Sequence, residues 1–159
     1  TGTRGIRVAM PQSLARVHLH LVFSTRHREP WLQDDVREAL HAYMSATSAN
    51  AGCPVTAINS VDDHVHVLFE LSRTMAVCDT VEVLKTASSK WIKTRGDGYL
   101  SFAWQAGYGV FAVSASNVPA VCRYIERQQE HHRRTNFQDE YRGLLDRHRT
   151  DFDERYIWD

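Results

Sequence analysis

The order of its periodic segments is what most narrows the folds open to this chain. From Leu14 to Ser24, Val17, Leu19, Leu21 and Phe23 alternate with Arg16, His18, His20 and Val22. A period of two aims alternate side chains at opposite faces, so this is a strand with one apolar face. Pro30 and the acids Asp34 and Asp35 then open a stretch in which Val36, Leu40, Tyr43 and Met44 recur at helical spacing, until Gly52 and Pro54 stop it. Val55 to Ser60 and His64 to Leu71 read as two strands, with Asp62-Asp63 as the turn of a hairpin between them. A second helix is expected from about Met75 to Lys93, with Val77, Val81, Leu84, Ser88 and Trp91 on one face and Gly96 and Gly98 ending it. Tyr108 to Ser114 is a fourth strand. Ser114, Ser116 and Asn117 supply capping oxygens before Pro119, so a helix should run from there to roughly His132. A shorter helix, Phe137 to Arg147, precedes a tail ending in Tyr156, Ile157 and Trp158. The order β-α-β-β-α-β followed by helices predicts an α+β fold of the ferredoxin-like, split βαβ kind. Its antiparallel sheet carries two helices on one face, with additional C-terminal helices. That fold hosts many functions and selects none by itself.

Composition sets the outer bounds. A chain of 159 residues, 43% hydrophobic and 24% charged, suits one globular domain, here residues 10–159. Residues 1–9 have no periodicity and are set aside as a leader of uncertain origin. No apolar run nears the roughly 18 residues that a membrane span needs, so a cytoplasmic protein without membrane contact is expected. Cys53, Cys78 and Cys122 are odd in number and far apart, which suits reduced, mostly buried thiols better than disulfides or a four-cysteine zinc site. The formal net charge is zero, yet the charges cluster. Lys85, Lys90, Lys93 and Arg95 form one basic group; Arg123, Arg127, His131, His132, Arg133 and Arg134 form another; much of the balancing acid lies after Asp139. A neutral total can therefore hide a basic face, although solvated helix surfaces carry the same pattern.

The residues that could carry chemistry are histidines and one tyrosine. His64 and His66 are two apart on a predicted strand, so both imidazoles project to the same side and make half a metal site. His18 and His20 have the same spacing on the first strand, and the pattern alone does not choose between the pairs or exclude a sheet face that merely carries histidines. On the helix after Val118, Tyr124 and Gln128 sit one turn apart on one face. Tyr124 offers a phenol that can act as a covalent nucleophile, and Gln128 an amide oxygen that can complete a metal's coordination. An amphipathic helix with a half-buried tyrosine would look the same.

Three stretches in this order, His64-Val65-His66, Trp104-Gln105-Ala106-Gly107-Tyr108-Gly109 and Tyr124-Ile125-Glu126-Arg127-Gln128, resemble the TnpA-type single-tyrosine HUH transposases of small bacterial insertion sequences, the IS200-like family. The run Gln12 to Thr25 looks like that family's first strand, and the closing Tyr156-Ile157-Trp158-Asp159 is similar to its tails. The resemblance implies the HUH endonuclease core, with Tyr124 as nucleophile, His64, His66 and Gln128 as ligands of a divalent Mg²⁺ or Mn²⁺, and His18 and His20 as first-strand residues near the site. It implies cleavage and rejoining of single-stranded, hairpin-forming DNA through a 5′-phosphotyrosine, with no nucleotide cofactor. It also implies a homodimer, with Ser114–Asn117 as the hinge of the tyrosine helix; whether Tyr124 acts in cis or in trans stays open. For the DNA strand, the candidates are Lys85, Lys90, Lys93 and Arg95, with Trp104 and Tyr108 nearby, although Trp91 and Trp104 also suit a core. Two other readings share these features: a domesticated HUH nuclease acting on palindromes, and a non-catalytic module that binds single-stranded nucleic acid. A plain metal-binding domain is a third.

Overall fold

A computed structural model describes residues 11–159; the leader 1–9 and Met10 lie outside the described residues. Four strands, β1 (His18–Ser24), β2 (Val55–Ser60), β3 (His64–Glu70) and β4 (Gly109–Val113), form one sheet in the order β2-β3-β1-β4. Every pairing is antiparallel, as the split βαβ order requires. Helices α1 (Asp34–Asn50) and α2 (Val77–Lys93) are the two crossovers. Because side chains alternate along a strand, Leu19, Leu21 and Phe23 of β1 and Val65, Val67 and Phe69 of β3 share a face. There they pack with Val36, Leu40 and Met44 of α1 and Val81, Leu84 and Ile92 of α2 in the main core.

The opposite face is also covered, which the alternation in the sequence did not predict: all seven residues of β1 are buried. Two helices beyond β4 share that face. Helix α3 (Val118–Glu126) lays Ile125 against Leu68 and Val113. Helix α5 (Phe137–Arg147) lays Phe137, Tyr141, Leu144 and Leu145 against Val22 and Phe111, backed by Ile157 and Trp158 of the tail. His20, His64 and His66 lie on the same face, beneath the seam between the two helices.

Several boundaries differ from the sequence expectation. The first strand begins at His18: Leu14 and Val17 are exposed, and the pairing with β3 tapers there to the single bond from the Leu71 amide to the Val17 carbonyl, 2.8 Å. The helix expected to reach His132 breaks at Arg127 (φ −97°, ψ 18°), and a single turn, α4 (Gln128–His131), follows. Ser114 and Asn117 do not cap α3 with their side chains; a short 3-10 turn, Ala115–Asn117, leads into it. The side-chain cap that does form is Asn136, which accepts from the Asp139 amide and starts α5. Of the cysteines only Cys53 is buried, while Cys78 is exposed and Cys122 half-buried, so the expectation of mostly buried thiols fails.

Candidate catalytic and metal site

β3 aims His64 and His66 at the seam, and both are fully buried. Register places Val22 opposite His66 and Leu68 opposite His20, so His20 and His66 are diagonal neighbours. His20 Nε2 lies 2.8 Å from His66 Nδ1. Burial lowers the His20 pKa to about 3, and burial also lowers that of His66, so both rings are neutral and one donates to the other. His18, at the strand's outer end, makes no hydrogen bond to this group among the described residues, and its Nδ1 is buried without a partner.

The centre of the site is a residue the sequence reading passed over. Glu140, on α5, is only 5% exposed. Its Oε1 lies 3.0 Å from His66 Nε2, 3.1 Å from His64 Nε2 and 3.0 Å from His132 Nε2. Its Oε2 accepts the Tyr124 hydroxyl and, at 3.1 Å, the Gln128 side-chain amide, with His131 Nε2 at 3.2 Å. The break at Arg127 leaves Tyr124 on α3 and Gln128 on α4 still converging on this one carboxylate. Burial opposes charge on Glu140, but the surrounding histidines outweigh it and hold the carboxyl well below the usual range. Burial, reinforced by the Glu140 charge, raises the Tyr124 pKa, so the resting phenol keeps its proton.

Hydrogen-bond roles point to a positive centre. His64 Nδ1 lies 2.6 Å from Asp63 Oδ1 and His132 Nδ1 2.9 Å from the Thr135 carbonyl; both partners accept, so both Nδ1 atoms carry hydrogen. In the neutral rings each Nε2 is then a bare lone pair. These two lone pairs lie 3.0 Å apart and face a carboxylate oxygen. Such an electron-rich focus requires a proton or a cation. The proton can be held by His64, where burial is outweighed by Asp63 and Glu140 and the pKa is raised. A metal ion meets the same need: donors bound at about 2.1 Å and at right angles lie about 3.0 Å apart. His64, His66, His132 and Glu140 each offer a ligand atom, all within 4.8 Å of one another. Gln128 Oε1, buried without a hydrogen-bond partner among the described residues, is a further free oxygen beside them.

Of the residues expected to act, Tyr124, His64, His66 and Gln128 are thus brought together, while Lys85, Lys90, Lys93 and Arg95 are not. Those four belong to α2 and its C-terminal end, on the face of the sheet away from the histidines. Lys85 donates to the carbonyls of Gln105, Ala106 and Gly107 at 2.8, 3.2 and 2.6 Å, bracing the loop that leads into β4. Trp104 is buried and donates to Ser88 Oγ at 2.9 Å, as a core residue does. Glu126, the acid inside the tyrosine motif, is exposed. Glu140 and His132 left no spacing signal, because their convergence with β3 depends on the turn at Arg127 and on where α5 docks.

A histidine pair on the central strand of a ferredoxin-like antiparallel sheet, facing a tyrosine on the helix after β4, is the site expected of an HUH protein. The sequence pattern of the family described as "Transposase IS200 like" matches residues 13–128, and the chain belongs to that family. It is 24% identical over 120 residues to the ISDra2 transposase TnpA of Deinococcus radiodurans, covering 72% of this chain and 86% of that protein. The fold is similar to that of a crystal structure described as a transposase of Deinococcus radiodurans, with TM-score 0.60 and 23% identity over 76% of this chain and 97% of the other. It is also similar to a REP-associated tyrosine transposase bound to a REP hairpin, with TM-score 0.57 and 12% identity over 79% and 74% of the two chains. No helix among the described residues is long and apolar enough to cross a membrane.

Proposed function

We propose that this transposase cleaves and rejoins single-stranded DNA with Tyr124 as its nucleophile. The supporting observation is the meeting of the Tyr124 hydroxyl and the His64–His66 pair on one buried carboxylate, Glu140. His64, His66, His132 and Glu140, with the free oxygen of Gln128, would hold a divalent ion. Nitrogen-rich donors favour Mn²⁺ over Mg²⁺. Such an ion, when bound, acts as a Lewis acid on the scissile phosphate.

The chain's own groups supply the rest. Asp63 and the Thr135 carbonyl fix the tautomers of His64 and His132, so that each Nε2 faces inward. Glu140 Oε2 accepts the Tyr124 hydroxyl and orients it, and the phenol proton passes to water as the oxygen bonds to phosphorus. The P–O3′ bond breaks, and the departing 3′-oxygen takes a proton from water. A 3′-hydroxyl later attacks the 5′-phosphotyrosine and restores a phosphodiester, so no nucleotide is consumed. The structural relative bound to a hairpin supports hairpin-forming DNA as the substrate.

The test is incubation with labelled single strands from both flanks of the gene and Mn²⁺, followed by a denaturing gel. A detergent-resistant protein–DNA adduct is expected, and it should be absent for Tyr124→Phe and for His64→Ala. Strand binding without an adduct would instead support a binding module.

A further inference from the structure

The two oxygens of Glu140 look to different sides of the site. Oε1 faces His64, His66 and His132, while Oε2 faces Tyr124, Gln128 and His131. Each side opens to a groove. On the imidazole side, Asp63 and His132 border a groove of about 770 Å³ that Arg28, Arg133 and Arg134 also line. On the phenol side, Tyr124 and His131 border one of about 390 Å³, lined by Arg123, Arg127 and again Arg134. The grooves thus share Arg134 and flank the short α4 turn.

Both grooves carry unspent positive charge. Among the described residues, ion pairs engage Arg16, Arg37, Arg142 and Arg155 but none of Arg28, Arg123, Arg127, Arg133 or Arg134. Of the acids in the larger groove, Asp62 is paired with Arg37 and Asp139 with Arg142, while Asp63 is turned onto His64 Nδ1. In the smaller groove Glu130 stands against three arginines. Guanidinium groups without carboxylate partners, leading to a buried site from two directions, form a track for a phosphate backbone.

The chemistry assigns a direction to that track. This step rests on the strand-cleaving reading above, with Tyr124 serving the histidines of its own chain as in the structure. In phosphoryl transfer the attacking and departing oxygens lie roughly in line on opposite sides of phosphorus. The attacking oxygen is on Tyr124, so O3′ leaves on the far side, toward His132 and Asp63. The phosphate stays bonded to Tyr124. From this geometry we infer that the larger groove holds the strand segment ending in the freed 3′-hydroxyl. The smaller groove holds the segment that remains on the tyrosine as its 5′-phosphate. An acceptor strand with a 3′-hydroxyl then enters by the larger groove, past Arg28 and Arg133.

The experiment crosses substitution with strand truncation, using the adduct assay with the full chain. Its probes are a cleaved flanking oligonucleotide and versions shortened 5′ or 3′ of the cut. Arg28→Ala with Arg133→Ala should slow adduct formation about tenfold on the full-length strand. That loss should vanish when the 5′ side has been removed, because a contact cannot be lost twice. Arg123→Ala with Arg127→Ala should behave the same way toward removal of the 3′ side. The first pair should also raise, about tenfold, the concentration of 3′-hydroxyl oligonucleotide needed to resolve the adduct. Losses that follow the opposite flanks, or that persist equally on both truncated strands, would overturn the assignment. Circular dichroism of each variant separates such losses from misfolding. A wild-type protein that forms no adduct on any flank would instead sink the strand-cleaving reading itself.

Discussion

At Glu140 one carboxylate oxygen faces three imidazoles and the other faces a phenol, so removing its charge tests the metal site apart from the chemistry. Glu140→Gln keeps the size and an acceptor oxygen but loses the negative charge that a divalent ion would meet. Calorimetry with Mn²⁺ and no DNA should then show affinity reduced about 10- to 100-fold. Affinity equal to wild type would exclude Glu140 from the ligand set. A strand's period of two placed the His64 and His66 rings on one side, but it did the same for His18 and His20, and only the family resemblance chose between the pairs. Tyr124 and Gln128 were expected one turn apart on a single helix, and they converge although the helix breaks between them at Arg127. Glu140 and His132 were not legible, since each lies beyond the helix break at Arg127, whose direction no local pattern encodes. The basic group on α2 shows a related limit: charge shows in a sequence, but the side of the sheet on which it falls does not.

The sheet and both crossover helices could be read from the sequence because hydrophobic period, glycine stops and turn acids all agreed along β1 to β4. The covering of the second face could not, because it rests on close packing between elements far apart in the chain. Gly109 of β4 marks one such contact: a Cβ there would come within 2.6 Å of the Tyr141 ring on α5. Tyr141 is buried and stacked on Phe137, with ring centroids 5.4 Å apart, so it has little room to retreat. Gly109→Ala should therefore cost about 1–3 kcal/mol in urea unfolding, and by lifting α5 it should also weaken Mn²⁺ binding. An unchanged urea midpoint would show that α5 is not held tightly against β4. On the other face, His41 of α1 meets Ser60 Oγ of β2 at 2.7 Å. Burial, with a smaller contribution from Arg37, lowers the His41 pKa from 6.5 to about 4. As pH falls through that window the unfolded chain takes up the proton first, so His41 costs the fold stability between those values. Wild type should lose more unfolding free energy than His41→Gln between about pH 7 and about pH 4.5, and equal losses would exclude this coupling.

In the whole molecule, Tyr124 meets the histidines of its own chain: its ring centroid is 5.7 Å from that of His66 and 6.1 Å from that of His20. A tyrosine helix that serves its own chain and one that serves a second copy make opposite demands on the Ala115–Asn117 turn. In trans, α3 would leave Leu68 and Val113, and Asn59 would give up its bonds to the Ile125 and Glu126 carbonyls and to Gln129. Helix α5, held by a separate apolar cluster, would keep Glu140 over the histidines. The cis arrangement keeps all of these contacts, but it also keeps His64, His66 and Gln128 fully buried. A phosphate then reaches them only if α4 or α5 shifts. Mixing Tyr124→Phe with His64→Ala separates the two arrangements. A cis site predicts no adduct from the mixture beyond that of either variant alone, since each chain lacks one half of the chemistry. An adduct in the mixture, carried by the His64→Ala chain, would mean that α3 crosses to a partner. The Asn59 contacts would then belong to a resting state that the dimer gives up, and Asn59→Ala should increase the yield of that mixed adduct.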